Sequence, residues 1–236
     1  PPGSIPALSR SNPPTIGATP HGKEPTMPDT AAPRTLPPAP AACLPPIWAQ
    51  TASGRAVPLL LPKPEHIERR DVAVGLARTA RFNGHSTAFY SVAQHSVVVH
   101  DLAPTALRPY ALLHDAHEAY IGDITSPVAA ALAHLAGHDF VEELKQRFDA
   151  AIFAAFGLPW PLEPARAEML RQLDRQALAC ERRDLLGPCE CDWALALPLA
   201  TGRPIQPLPW DRAETLFLDR CERLGLRPAP RREPQP

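Results

Sequence analysis

A chain of 236 residues with 24 Lys+Arg against 25 Asp+Glu, a net charge of −1 and 44% hydrophobic residues has room for one sizeable core. The near-neutral balance excludes a protein that holds a nucleic acid polymer or a membrane by bulk charge, and no apolar run approaches the roughly 18 residues of a membrane span. With no charged-then-apolar leader and five scattered cysteines (Cys43, Cys180, Cys189, Cys191, Cys221), the expectation is a reduced, soluble, cytoplasmic protein rather than a disulfide framework.

Fourteen of the 32 prolines fall in residues 1–46, where apolar residues are few and follow no period. Proline fixes φ and removes donors, so this segment cannot bury enough surface to offset its ordering entropy, and it reads as a disordered arm. The tail 228–236 reads the same way, which leaves 47–227 as one domain. Within it, Ile47–Leu61 reads as two short strands around a Ser53-Gly54 turn. The rest is helical in period, with helices expected near 66–80, 91–103, 105–121, 125–136, 140–156, 163–186 and 210–224. Asp139 and Glu142 have capping-box spacing before one of them. The fold class expected is all-α with a short N-terminal hairpin.

Three of these helices carry ionisable groups on apolar stripes. In 105–121, Leu107, Tyr110, Ala111, His114, Asp115 and Glu118 recur at spacings of three and four and share a face. In 91–103, His95 sits among Val92, Val99 and Leu102, and in 163–186, Asp174 lies in line with Leu170, Leu173, Ala177 and Leu178. A buried carboxylate must be paired or must coordinate a metal. Two imidazoles and two carboxylates converging from three helices make a divalent-metal site, with mixed N/O ligation suited to Mn, Fe, Co or Zn, and Mg open as well. Of three His-Asp dipeptides, only His114-Asp115 lies inside an apolar helix with a carboxylate one turn on; Asp139 of His138-Asp139 serves as a cap, and His100-Asp101 ends a helix.

These residues resemble the HD-domain metal-dependent phosphohydrolases, in particular the bacterial 5′-deoxynucleotidase-like branch. The matching text is RFNGH (81–85), SVAQHS (91–96), ALLHDAHEAYIGDITSP (111–127) and an Asp within LDRQALACERRDLL (173–186), spread over about 47–224. The resemblance implies an all-helical HD-domain bundle, one divalent metal ion held by His95, His114, Asp115 and Asp174, and a homo-oligomer. It implies Glu118 as the acid/base residue, Asp123 as acceptor from the sugar hydroxyl, Arg81 on the substrate phosphate, and Phe82 beside sugar and base, a position where the nucleotidases typically carry Trp. His117 stands where the family has a small residue, and is expected to face solvent, with approach to a second metal as the alternative. His85 either lines the pocket or belongs to a surface turn.

The activity implied is hydrolysis of deoxynucleoside 5′-monophosphates to nucleoside and phosphate; the alternative is a deoxynucleoside triphosphohydrolase releasing triphosphate. With only Lys23, Lys63 and Lys145 among the lysines, extra phosphate binding would rest on arginine, which leans towards the monophosphate. No GxxxxGK[ST] or GxGxxG is present, which disfavours an ATP-driven motor or a dinucleotide oxidoreductase. Cys189-Glu-Cys191 has no second Cys/His pair at zinc-finger spacing.

Overall fold

The computed structural model describes residues 47–193 and 195–228. The proline-rich arm expected over 1–46 and all but the first residue of the expected tail lie outside the described residues. What is described is mostly helical, with one small two-stranded antiparallel sheet. No helix among the described residues is long and apolar enough to cross a membrane.

The hairpin pairs β1 (Trp48–Gln50) with β2 (Ala56–Pro58), Ala49 facing Val57. Two short strands are marginal alone, and this pair is held from below. Asp71, buried near the start of helix α1 (Arg69–Arg78), accepts from the Thr51 hydroxyl at 2.7 Å and from the Ser53 amide and hydroxyl at 2.8 and 2.6 Å. The expected turn is thus fastened to the first helix by one carboxylate.

Helix α2 (Val92–Leu102) opens at Ser91, whose hydroxyl accepts from the Gln94 amide and so satisfies an end donor. Eight of its residues, Val92 to Val97, Val99 and His100, are buried, which makes α2 the central element. It is flanked by α1, α3 (Arg108–Leu113), α7 (Pro164–Leu185) and α8 (Trp210–Arg223). Helix α7 is started by Glu163, whose carboxylate accepts from the Ala165 and Arg166 amides, and by Pro164 at its first position. The Gln94 side chain anchors the approach to α8, donating to the Gln206 carbonyl at 2.7 Å and accepting from the Leu208 amide at 2.9 Å. As the Asp139/Glu142 spacing requires, Asp139 caps α6 (Phe140–Ala155), accepting from the Glu142 amide at 2.9 Å.

The expected helix over 105–121 is broken into pieces. After α3 the chain turns through 114–117 and resumes as α4 (Glu118–Ile121). The dihedrals at His114 and His117 stay helical, but the ladder tightens to three-residue bonds, Ala116 amide to Leu113 carbonyl, Glu118 to Asp115 and Tyr120 to His117. A side chain has entered the turn: His114 Nδ1 lies 2.9 Å from the Ala111 carbonyl. Gly122, at φ 77°, ends α4 and turns the chain towards Asp123 before α5 (Ser126–Ala136).

Helix α4 is held against α1 at unusually close range. A Cβ on Gly75 would sit 2.8 Å from both the Cβ and the carbonyl oxygen of Ala119. Gly75→Ala is therefore expected to push α4, and Glu118 with it, away from α1, at a cost of about 1–3 kcal/mol. Equilibrium denaturation checks this; an unchanged midpoint would show that the close approach is dispensable.

Candidate metal centre

The segment 80–91 is tied at its base, Ala80 pairing with Ser91, the Arg81 amide bonding the Tyr90 carbonyl at 2.9 Å and the Val92 amide the Thr79 carbonyl at 3.0 Å. Within it, Phe82 and Asn83 both adopt left-handed backbone, φ 56° and 52°. For a bulky phenylalanine that geometry is unfavourable by about 1–3 kcal/mol, and such strain concentrates where a site dictates the chain's path. The kink carries Arg81 inward, its guanidinium between Glu181 (3.0 Å) and Asp115 (3.7 Å) and 5.2 Å from the centroid of the Phe82 ring.

Four side chains from α2, the turn after α3, and α7 meet beneath it. His95 Nε2 and His114 Nε2 are 3.2 Å apart. The Asp115 carboxylate lies 3.3 Å from the first and 3.2 Å from the second, and Asp174 lies 3.2 and 3.7 Å from the same two atoms. Donors about 2.0–2.2 Å from one cation, at tetrahedral to octahedral angles, stand about 2.8–3.6 Å apart, so the His95, His114 and Asp115 spacings fit a shared ion, while Asp174 stands slightly wide of His114. His95 is fully buried, His114 nearly so, and the Asp174 side chain is 41% exposed, which puts the mouth of the group on the α7 side.

The other nitrogen of each ring fixes what these two face. His95 Nδ1 is 2.5 Å from the fully buried Glu181 carboxylate, which also accepts from the Tyr90 hydroxyl at 3.0 Å. His114 Nδ1 donates to the Ala111 carbonyl. With Nδ1 as donor in both rings, two Nε2 lone pairs face each other across 3.2 Å, an arrangement that calls for a cation between them. When no metal is bound, protons take that place. Burial lowers the pKa of His114, but Asp115 and Asp174 outweigh it and hold it up to about 10. Burial raises Asp115, yet His114 and His95 pull it well below the usual carboxylate range. Metal uptake then releases protons. The buried His, Asp and Glu side chains here can hold a metal ion.

Glu118, buried at the start of α4, leaves Oε2 with no hydrogen-bond partner among the described residues. Its pKa is pushed up to about 9, first by burial and then by the charges of Asp115 and Asp123. Asp123 is half-buried, and burial raises its pKa against the opposing charge of Arg81. Arg81, Phe82, Glu118 and Asp123 thus stand around the four-donor group. His85 is exposed, in a surface turn.

One expectation is overturned. His117 does not face solvent: only 4% of it is exposed, and its Nδ1 lies 2.8 Å from Asp149 Oδ1 on α6. Its spacing, three residues after His114 and seven after Tyr110, puts it at the edge of the buried face, where Asp149 meets it. Two buried carboxylates were also missed, although the signal was present. Glu181 falls two turns after Asp174 on the same face of α7, and Asp149 precedes Ile152, Phe153 and Phe156 at the spacing of an apolar stripe.

Glu181→Gln removes the charge that orients His95 and neutralises buried Arg81 while keeping the shape. Metal affinity is expected to fall about 10–100-fold, read by competition with a chromogenic chelator. Equal affinity in the two forms would show that Glu181 does not tune the centre.

Fold and site together define a helical protein with a buried, histidine-oriented group of donors suited to a divalent ion. No family model matches the chain. It is 38% identical over 154 residues to the uncharacterized protein RCAP_rcc00048 of Rhodobacter capsulatus, a match over 61% of this chain and 76% of that one. It is 35% identical over 157 residues to the uncharacterized protein YfdR of Escherichia coli, over 66% of this chain and 83% of that one. The chain belongs to the family of these proteins.

Proposed function

We propose that this protein is a divalent-metal-dependent phosphohydrolase of the HD-domain class acting on deoxynucleoside 5′-monophosphates. The observation that carries the metal is the convergence of His95 Nε2, His114 Nε2, Asp115 and Asp174 at 3.2–3.7 Å, with both Nδ1 atoms engaged elsewhere. A second argument comes from charge. Asp115, Asp123, Asp174 and Glu181 surround the site, Glu118 is held neutral until a cation is present, and without a metal Arg81 and the protonated imidazoles of His95 and His114 balance these charges. Once those protons leave, the carboxylates repel a phosphate dianion unless a divalent ion takes the protons' place.

The metal, when bound, polarises a phosphoryl oxygen and makes a water easier to deprotonate. The chain's own groups do the rest. Arg81, fixed by Glu181, presents its remaining donors to phosphate oxygens and offsets charge as it builds in the transition state. Glu118 takes the proton from the attacking water and returns it to the leaving ester oxygen; positive charge held by the four donors favours its ionised form for the first step. Asp123 accepts from the sugar hydroxyl, and the Phe82 ring flanks the sugar. The resemblance in sequence further supports a homo-oligomer.

Product analysis tests this. The protein, stripped with chelator and restored separately with Mn²⁺, Co²⁺, Mg²⁺ or Zn²⁺, is expected to release inorganic phosphate from deoxynucleoside monophosphates. Intact triphosphate released from a deoxynucleoside triphosphate would replace this activity with triphosphohydrolysis. No turnover of either substrate class with any of the metals would overturn both.

A further inference from the structure

A second group of donors lies on the inner side of the first. A carboxylate oxygen of Asp115, a ring nitrogen of His117 and a carboxylate oxygen of Glu118 lie within 4.8 Å of one another. His117 and Glu118 are only 4% and 5% exposed. His117 Nε2 and Glu118 Oε2 are buried with no hydrogen-bond partner among the described residues, and an orphaned buried donor or acceptor costs about 1–3 kcal/mol. Two such orphans on successive residues of one donor group are unfavourable unless something satisfies them.

The orientation of His117 repeats that of His95. In each ring Nδ1 faces a buried carboxylate, Asp149 at 2.8 Å for His117 and Glu181 at 2.5 Å for His95. That contact makes Nδ1 the protonated nitrogen and leaves Nε2 a lone pair. A hydrogen-bonding role alone would leave the Nε2 lone pair unsatisfied in the interior, whereas a ligand role uses it.

We propose that Asp115, His117 and Glu118 hold a second divalent cation, with Asp115 shared between the two sites and Asp149 orienting His117. The proposal rests on the first group being a cation site, because Asp115 belongs to both. One nitrogen and carboxylate oxygens suit Mn²⁺, Fe²⁺ or Zn²⁺. A carboxylate has two oxygens, so ligation of Glu118 through one leaves the other for proton transfer. Paired cations of this kind clamp the attacking and leaving oxygens of an in-line displacement at phosphorus, which suits a phosphate ester as the ligand.

Mn²⁺ alone serves as the probe, on the full chain stripped with chelator, with equilibrium dialysis to count ions and electron paramagnetic resonance to detect coupling between them. The expected result is two Mn²⁺ per chain with an exchange-coupled spectrum. His117→Gln should hold one uncoupled Mn²⁺ at an unchanged melting temperature, and Asp149→Asn should bind the second ion about 10–100-fold more weakly. One uncoupled Mn²⁺ in the wild-type protein, unaffected by His117→Gln, would overturn the second site and leave the first standing. No bound Mn²⁺ at all would overturn both. Because the wild-type spectrum decides between these outcomes, the test survives if a variant fails to fold.

Discussion

Asp115→Ala is expected to leave the protein with sub-stoichiometric metal and to lower nucleotide hydrolysis by about three orders of magnitude or more. The carboxylate touches every part of the site: it lies 3.3 Å from His95 Nε2, 3.2 Å from His114 Nε2 and 3.7 Å from the Arg81 guanidinium, and it contributes to both donor groups. Its removal takes away one ligand and much of the negative charge that sets two imidazoles towards one point. Polarisation by a metal ion contributes several kcal/mol to a phosphoryl transition state, and every 1.36 kcal/mol is tenfold in rate. The check is metal analysis of the purified variant beside its turnover of a deoxynucleoside monophosphate. Full metal content with full activity would remove Asp115 from the centre.

Glu118→Gln is expected to divide two functions that Asp115→Ala destroys together. The glutamine keeps the size of the side chain but cannot take a proton, and positioned general-base catalysis contributes about 10²–10⁴-fold. The turnover number should fall within that range while KM changes little and the four-donor group keeps its ion. Burial favours this substitution structurally: Glu118 is 5% exposed, and its pKa near 9 reflects how poorly the pocket tolerates the charge when no cation is present. The variant should therefore be at least as stable as the wild type to thermal unfolding. Wild-type turnover in Glu118→Gln would assign the proton transfer to another group.

Much of this architecture was legible in the sequence because the apolar periodicity was regular. The hairpin around Ser53-Gly54, the Asp139 cap and the long helix bearing Asp174 follow from spacing alone. His95, His114, Asp115 and Asp174 stood out as polar interruptions of apolar stripes, and those side chains meet in space. The break of the helix at 114–117 was not legible, since its residues have helical propensity. It depends on the His114 ring bonding the Ala111 carbonyl, a choice made by the tertiary site. His117 is buried against the expectation of an exposed side chain, because its partner Asp149 comes from a helix distant in sequence. The left-handed backbone at Phe82 and Asn83 was equally hidden, because nothing local favours it in a phenylalanine.

The most direct test of the metal centre is a crystal structure of the chelator-stripped protein soaked in Mn²⁺, with diffraction data collected at the manganese absorption edge. An anomalous peak about 2.0–2.3 Å from His95 Nε2, His114 Nε2 and carboxylate oxygens of Asp115 and Asp174 is expected. Well-ordered side chains in the same positions with no anomalous density between them, or density only at surface sites, would contradict the assignment of a metal centre.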